Sequence, residues 1–143
     1  MRVPAFWDSS ALIPLCVHQS TTPGVALLFQ KHEVVVWWAA PVEIASGLAR
    51  LGRMNQITPA DYAKACNLAA ILSDSWSVIQ PSESVRASAL RIVEHYDLRA
   101  ADSLQLAAAL AWSSGAPHRQ VFLTTDQRLR EAAFLAGFDT TQI

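Results

Sequence analysis

The run Val34-Val35-Val36-Trp37-Trp38 is the most informative part of this chain for its architecture. Five apolar residues in succession, three of them β-branched, are typical of a strand that is buried on both faces, as strands of a parallel sheet are. A helical pattern follows at once, with Pro41 at its start, Glu43 in its first turn and Gly52 at its end. The segment therefore predicts a buried strand that leads directly into a helix.

The same succession of short apolar runs and helical patterns covers the rest of the chain. Strands are expected over residues 3–7, 34–38, 76–79, 120–124 and 138–143, the last at an edge, and helices over residues 11–18, 22–32, 41–52, 58–74, 82–96, 102–113 and 127–136. Strands that alternate with helices indicate an α/β fold, in which right-handed crossovers place helices on both faces of the sheet. We therefore expect a single domain over residues 1–143 with a central, mostly parallel sheet of four or five strands.

Length and composition are those of a domain with a substantial core. At 143 residues and 52% apolar content, with a mean hydropathy of +0.22, the chain can bury a full core, yet no apolar run reaches the ~18 residues of a membrane span. Met1-Arg2-Val3 leads directly into the first strand without the pattern of a signal peptide. Cys16 and Cys66 have no CxxC partner, which is typical of reduced thiols. We therefore expect a soluble, cytoplasmic protein without a zinc site.

The charge pattern limits the ways in which this chain could bind nucleic acid. A net charge of −1 excludes a broad basic surface, and Lys31 and Lys64 are the only lysines. Contacts with phosphate groups would therefore depend on a few arginines. The candidate RNA contacts are Arg50 and Arg53, one turn apart near the end of a helix, and Arg128. The alternative for each is a solubilising surface residue.

Four acidic residues lie where this fold would gather them. Asp8 directly follows the first strand, Glu43 comes five residues after the second, and Asp126 comes three residues after the apolar run of the fourth. The carboxyl ends of parallel strands meet at one edge of a sheet, where the ligand sites of such folds lie. Asp102 joins the other three acids if its helix begins at that edge.

Each acid also has a local explanation as part of a helix start. Asp8 could cap the first helix, Asp126 could cap the last, and Asp102 and Gln105 have the spacing of a capping box. Glu43 in a first turn is favoured by the helix dipole. Capping does not explain why all four acids should share one edge, since crowded carboxylates repel one another unless a cation or a proton compensates them.

A hard divalent cation would compensate that charge. Oxygen ligands without a cluster of His or Cys favour Mg²⁺ or Mn²⁺ over zinc or copper. The sequence therefore predicts a metal site formed by Asp8, Glu43, Asp102 and Asp126.

The stretches that carry these acids resemble, in order and spacing, the four acidic motifs of PIN-domain ribonucleases. They are WDSSALI at residues 7–13, PVEIASGL at 41–48, LRAADSLQLAAA at 98–109 and FLTTDQRL at 122–129. Within that family, the chain is most similar to the VapC-type toxins of bacterial toxin–antitoxin pairs. The resemblance covers nearly the whole chain, and the ordered set of four motifs is more specific than any one of them.

This resemblance implies a metal-dependent endoribonuclease, usually a homodimer, that is inhibited by a small antitoxin whose tail blocks the acidic site. It implies that Asp8 and Asp102 are the principal Mg²⁺ ligands and that Asp126 completes the site directly or through water. Glu43 would be a further ligand or the group that orients the attacking water, and all four would be catalytic residues. Supporting hydrogen bonds are expected from Ser9, Thr124 and Thr125.

The chemistry of RNA hydrolysis agrees with this implication. Phosphodiester cleavage needs a nucleophile near neutral pH and stabilisation of charge on the phosphoryl oxygens, and a bound Mg²⁺ can supply both. We hypothesise that a metal-activated water attacks the scissile phosphate and leaves 5′-phosphate and 3′-hydroxyl ends. Two alternatives stay open, namely a PIN nuclease that acts in RNA maturation and a non-catalytic PIN module that binds protein or RNA.

Overall fold

The apolar run around Val35 forms the second strand of a four-stranded sheet in the computed structural model, which describes residues 1–143. The elements follow one another as β1 (Val3–Trp7), α1 (Ser9–Cys16), α2 (Thr22–Lys31), β2 (His32–Trp37), α3 (Ala40–Arg53), α4 (Pro59–Ser73), β3 (Ser77–Ile79), α5 (Glu83–His95), α6 (Ala100–Trp112), β4 (Val121–Leu123) and α7 (Gln127–Ala136). None of these helices combines the length and the apolar character needed to cross a bilayer.

All neighbouring strands of the sheet run parallel, in the order β3-β2-β1-β4. Phe6 of β1 lies beside Val35 of β2 on one side and Phe122 of β4 on the other. Because parallel neighbours cannot be joined by a tight turn, each connection crosses over the sheet and carries helices with it. The predicted α/β fold with a parallel sheet is confirmed, and the carboxyl ends of all four strands lie at one edge.

Successive residues of the two central strands point to opposite faces of the sheet, and both faces are buried. Phe6, Val35 and Trp37 pack with α5, α6 and α7 in one core cluster. Trp7 and Val36 belong to a second cluster, formed with α1, α2, α3 and α4. Because β2 is covered on both sides, its apolar run is unbroken, as the sequence predicts.

Two strand predictions need correction. Strand β2 ends at Trp37, and Trp38 lies in the following turn with 54% of its surface exposed. Residues 138–143 form no edge strand and contribute only a single bridge, between Val121 and Asp139. The Trp38 N–H still donates to the carbonyl of Ile79 (3.1 Å), the last residue of β3, so the pairing of β2 ends there, while the C-terminal segment pairs with β4 only around Asp139.

Candidate metal centre

The carboxyl edge of the sheet brings Asp8 next to the end of β4. Asp8 directly follows β1, and its backbone N–H donates to the carbonyl of Leu123 (2.9 Å), which continues the strand pairing by one residue. Thr124, the residue after β4, therefore lies beside Asp8. Both residues are buried, with 5% of Asp8 and 0% of Thr124 exposed.

The Asp8 carboxylate is held by hydroxyl groups. Its Oδ2 accepts hydrogen bonds from Ser10 Oγ (2.6 Å) and Thr124 Oγ1 (2.8 Å). Burial raises the pKa of Asp8 above its usual range; these hydroxyl bonds oppose the increase, and the charge of Asp126 adds to it. Asp8 occupies the N-cap position of α1, yet no backbone N–H of that helix makes a capping hydrogen bond to its side chain. The capping explanation is therefore wrong for Asp8.

Ser10 joins α1 to the loop after β4, although the sequence predicts no site role for it. Besides donating to Asp8, its Oγ accepts a hydrogen bond from the backbone N–H of Thr125 (3.0 Å) and lies 3.1 Å from Thr124 Oγ1. Its carbonyl has no helical donor because Pro14, four residues later, lacks an N–H, and the Thr125 hydroxyl lies 3.5 Å from it. Thr125, one of the predicted supporting residues, thus reaches the site only through Ser10.

Helix α3 carries Glu43 to the same edge. Gly47, one turn after Glu43, lies against α1: a Cβ at this position would lie 2.5 Å from Ile13 Cδ1, so a larger residue would require the Ile13 side chain to shift. Glu43 is half-buried beside the other acids. Burial and then the charge of Asp8 raise the pKa of Glu43 to about 7, and Asp102 contributes a smaller increase.

A buried glutamine on α6 binds Glu43. Gln105 is fully buried, and its amide nitrogen donates to Glu43 Oε1 (2.6 Å) and to Ser9 Oγ (3.2 Å). Ser9 Oγ in turn lies 3.4 Å from Asp8 Oδ1, so the predicted support from Ser9 is present in the geometry. The capping-box explanation is wrong, because Gln105 points across the core rather than back to Asp102. The one sequence signal for a site role of Gln105 was its polar side chain within an otherwise apolar stretch of the helix.

Asp102 reaches the edge from the first turn of α6. The helix begins at Ala100 with Arg99 at the N-cap position, two residues earlier than the sequence predicts. Burial raises the pKa of Asp102, and the charges of Asp8 and Asp126 raise it further. The positive charge of Arg99 lowers the pKa of Asp102. The sequence predicts no role for this arginine.

Asp126 caps α7 at the same edge. Its Oδ1 accepts a hydrogen bond from the backbone N–H of Leu129 (3.0 Å), and its own N–H donates to Thr124 Oγ1 (3.0 Å). The capping explanation is therefore correct for this acid, which is exposed. The cap uses one carboxylate oxygen, while the charge of Asp126 still raises the pKa of Asp8 and Asp102.

Replacement of Asp126 should separate its structural role from its charge. We expect Asp126→Ala to lower the free energy of unfolding by about 1 kcal/mol, because the N–H of Leu129 loses its acceptor. Asp126→Asn keeps an acceptor oxygen and should cost only a few tenths of a kcal/mol on the same scale. Urea unfolding of the two variants without divalent cations would measure this difference, and equal losses would argue against the cap.

The predicted arginines divide into two groups. Arg50 and Arg53 lie in the last turn of α3, seven and ten residues after Glu43, and are therefore roughly 10 and 15 Å along the helix from it. Arg128 lies in the first turn of α7, at the acidic edge, and its guanidinium pairs with Asp97 (3.3 Å) in an exposed salt bridge. The structure therefore places Arg128 near the acids and the other two arginines at the far end of α3.

The four acids form an anionic edge, at which the charges of Asp8, Asp102 and Asp126 each raise the pKa of at least one other acid. Neither of the two salt bridges of the structure involves Asp8, Glu43, Asp102 or Asp126. As the side chains stand, no group of three or more His, Cys, Asp or Glu residues is arranged so that it could hold a metal ion. Such spacing is expected of carboxylates that repel one another. The donor set fits a hard divalent cation, because it consists of carboxylate oxygens and because a cation would compensate the neighbouring charges that, after burial, raise the pKa values of Glu43 and Asp102.

The stability of the protein without divalent cations should fall as the pH rises towards neutrality. Because the pKa of Glu43 rises from 4.5 to about 7 on folding, the folded state holds its proton more tightly than the unfolded state does. This stabilisation is complete below about pH 4.5 and is lost as the pH rises through 7. Thermal unfolding in chelator between about pH 5 and 8 would measure the fall. Glu43→Gln should make the fall smaller without abolishing it, because burial also raises the pKa values of Asp8 and Asp102, and a wild-type stability that rises over this range would contradict the assignment.

A family model described as the PIN domain matches residues 5–135 of this chain. The matched region begins within β1 and ends within α7, and it contains all four acids of the edge. No curated protein matches the chain.

Several solved structures share its fold. A toxin-antitoxin complex from Klebsiella pneumoniae matches with a TM-score of 0.62 over 87% of this chain and 88% of that chain, at 17% identity. PAE2754 from Pyrobaculum aerophilum matches with a TM-score of 0.67 over 98% of this chain and 90% of that chain, at 19% identity. FitAcB from Neisseria gonorrhoeae matches with a TM-score of 0.64 over 94% of this chain and 96% of that chain, at 18% identity. At such identities the likeness concerns the fold.

Proposed function

Because this chain belongs to the PIN domain family, we propose that it is an endoribonuclease that depends on Mg²⁺, with Mn²⁺ as a substitute. The observation that carries the proposal is the convergence of Asp8, Glu43, Asp102 and Asp126 at the carboxyl edge of the sheet. Burial and mutual repulsion raise the pKa of the first three, and no salt bridge compensates them. A hard divalent cation is the partner that such a set of oxygens favours.

The acids differ in the roles we assign to them. Asp8 and Asp102 would hold the cation directly, and the exposed Asp126 would complete the site with the oxygen that α7 does not use, directly or through water. A bound Mg²⁺ supplies charge stabilisation at phosphoryl oxygens and promotes ionisation of water near neutral pH. Glu43 has one oxygen held by Gln105, so its other oxygen can orient the attacking water.

Contacts with the RNA backbone are assigned to arginines near the acids. The positive charge of Arg99 lowers the pKa of Asp102, and Arg128 lies in the first turn of α7, which Asp126 caps. Both side chains are exposed and could pair with phosphate groups that flank the scissile bond. RNA is proposed as the substrate because the four acidic motifs resemble those of PIN-domain ribonucleases.

We further propose that the chain is the toxin of a toxin–antitoxin pair and that it forms a homodimer. The Klebsiella pneumoniae structure with the same fold is described as a toxin-antitoxin complex, which supports a small antitoxin as partner. Apolar side chains that contacts with partner chains could cover are exposed on α4 and α5, namely Leu68, Ile71, Leu90 and Val93.

Cleavage of single-stranded RNA by the purified protein in Mg²⁺ tests the proposal directly. The expected products carry 5′-phosphate and 3′-hydroxyl ends, and DNA of the same sequence should stay intact. RNA that stays intact with Mg²⁺ and with Mn²⁺, in a preparation free of antitoxin, would refute the nuclease assignment. Loss of growth on expression, relieved by the neighbouring small gene product, would test the toxin role separately.

A further inference from the structure

We propose that Gln105 is a positioning residue of the candidate metal centre, which fixes Glu43 relative to Asp8 and thereby sets the affinity of the site for a divalent cation. The inference rests on the proposed function, and it concerns a residue that is itself neither an acid nor a ligand. The amide nitrogen of Gln105 makes hydrogen bonds to two different elements, and the inference is based on this pair of bonds.

The two bonds join three segments that are distant in the sequence. One N–H of the Gln105 amide binds Glu43 Oε1 on α3 at 2.6 Å, and the other binds Ser9 Oγ on α1 at 3.2 Å. Ser9 Oγ has its own hydrogen available for Asp8 Oδ1, which lies 3.4 Å away. Gln105 thus links the Glu43 and Asp8 carboxylates through a continuous chain of hydrogen bonds, in which every donor faces an acceptor.

The chemistry of this position favours an amide. Two N–H donors on one nitrogen can satisfy the Glu43 carboxylate and the Ser9 hydroxyl simultaneously. Asp8 and Glu43 repel each other, since the charge of Asp8 raises the pKa of Glu43. A neutral donor holds the two carboxylates at a defined separation without the positive charge that would compete with a cation.

The burial of Gln105 indicates that its N–H donors are the reason for an amide at this position. Gln105 is 0% exposed on a helix whose other buried residues are Ser103, Leu106 and three alanines, and its own carbonyl oxygen has no hydrogen-bond partner. A buried acceptor without a partner is unfavourable, and an apolar side chain of similar size would avoid it. The bonds to Glu43 and Ser9 are therefore what distinguishes glutamine from methionine or leucine at this position.

Binding of Mn²⁺ to the free protein, measured by electron paramagnetic resonance, tests the inference without any cleavage assay. Gln105→Met keeps the volume and removes both donors, and we expect it to weaken Mn²⁺ binding by about 10- to 100-fold, as loss of a group that orients metal ligands does. Gln105→His retains one ring donor and should recover part of the affinity. Ser103→Ala is the matched control, because its buried hydroxyl on the same helix has no partner, and it should bind Mn²⁺ like the wild type.

The outcomes separate this inference from the proposed function. Wild-type affinity in Gln105→Met would refute the positioning role and leave the metal site intact, whereas a wild-type protein that binds no Mn²⁺ would refute both. In a Glu43→Gln background, Gln105→Met should cause a much smaller loss, because its main partner is already changed. An equal loss in both backgrounds would show that Gln105 does not act through Glu43. If Gln105→Met fails to fold, Gln105→His decides the same question.

Discussion

Asp8→Asn is expected to reduce the rate of RNA cleavage by about 10³-fold or more while the protein stays folded. Loss of one negative ligand removes several kcal/mol of stabilisation from a metal-assisted transition state, and each 1.4 kcal/mol corresponds to about a tenfold change in rate. Asp8 is the most buried of the four acids and lies directly at the end of the central strand β1.

The same substitution should preserve or increase stability when no divalent cation is present. Burial disfavours the charged form of Asp8 and raises its pKa, so a neutral amide of the same size removes that penalty. The amide oxygen can still accept the hydroxyl bonds of Ser10 and Thr124, and the new NH₂ group faces Ser9 Oγ at the position of Oδ1. We therefore expect an unchanged or higher thermal midpoint in chelator.

Cleavage rates and unfolding curves of one preparation would check both parts of this prediction. Asp139→Asn is a matched control, because Asp139 is exposed and bridges Val121 at the opposite end of β4. It should cleave RNA at the wild-type rate. Cleavage by Asp8→Asn at that rate would show that the site is wrongly assigned, and a strongly destabilised variant would show that burial of the charge has been misjudged.

Removal of divalent cations is expected to abolish cleavage and to lower the stability of the wild-type protein. The four carboxylates then repel one another without compensation, whereas bound Mg²⁺ stabilises the folded state by mass action. At a Mg²⁺ concentration 100 times its Kd, that stabilisation is about 2.7 kcal/mol. Dialysis against chelator followed by addition of Mg²⁺ or Mn²⁺ should restore both activity and thermal midpoint.

Two comparisons make the metal experiment specific. NaCl at matched ionic strength controls for simple screening of the acidic edge and should restore neither property fully. Asp8→Asn should show a much smaller gain in thermal midpoint on addition of Mg²⁺, because one principal ligand is missing. Full cleavage activity after exhaustive chelation would contradict the metal dependence, and an equal Mg²⁺ effect in wild type and variant would place the cation elsewhere.

Most of the fold could be predicted because its signals are local. The unbroken apolar run of β2 indicates a strand covered on both faces, and Pro41 marks the start of α3. Thr58 and Ser82 each cap the helix that follows, as their positions in the sequence suggest. The errors fall at Trp38, one residue beyond the end of β2, and at residues 138–143, which contribute only a single bridge to β4.

The resemblance to the PIN family, carried by four motifs, is confirmed by the family model over residues 5–135. The order of the acids along the chain was sufficient for that conclusion. Their separate roles in the structure were not, since each also had a local explanation at a helix start, Glu43 through the helix dipole and the other three through capping. The structure distinguishes them, because Asp126 caps α7 whereas the side chain of Asp8 caps nothing.

The sequence by itself determined the element order, the parallel sheet and the edge at which the acids meet, because periodicity and helix-start signals act over a few residues. Only the tertiary structure showed that Ser10 and Gln105 also support those acids. Ser10 reaches Thr125 across 115 residues, and Gln105 reaches Glu43 across 62 and Ser9 across 96. Such contacts depend on how the helices pack over the sheet. No local pattern contains that information, because the energy of each contact is realised only when both distant segments are in place.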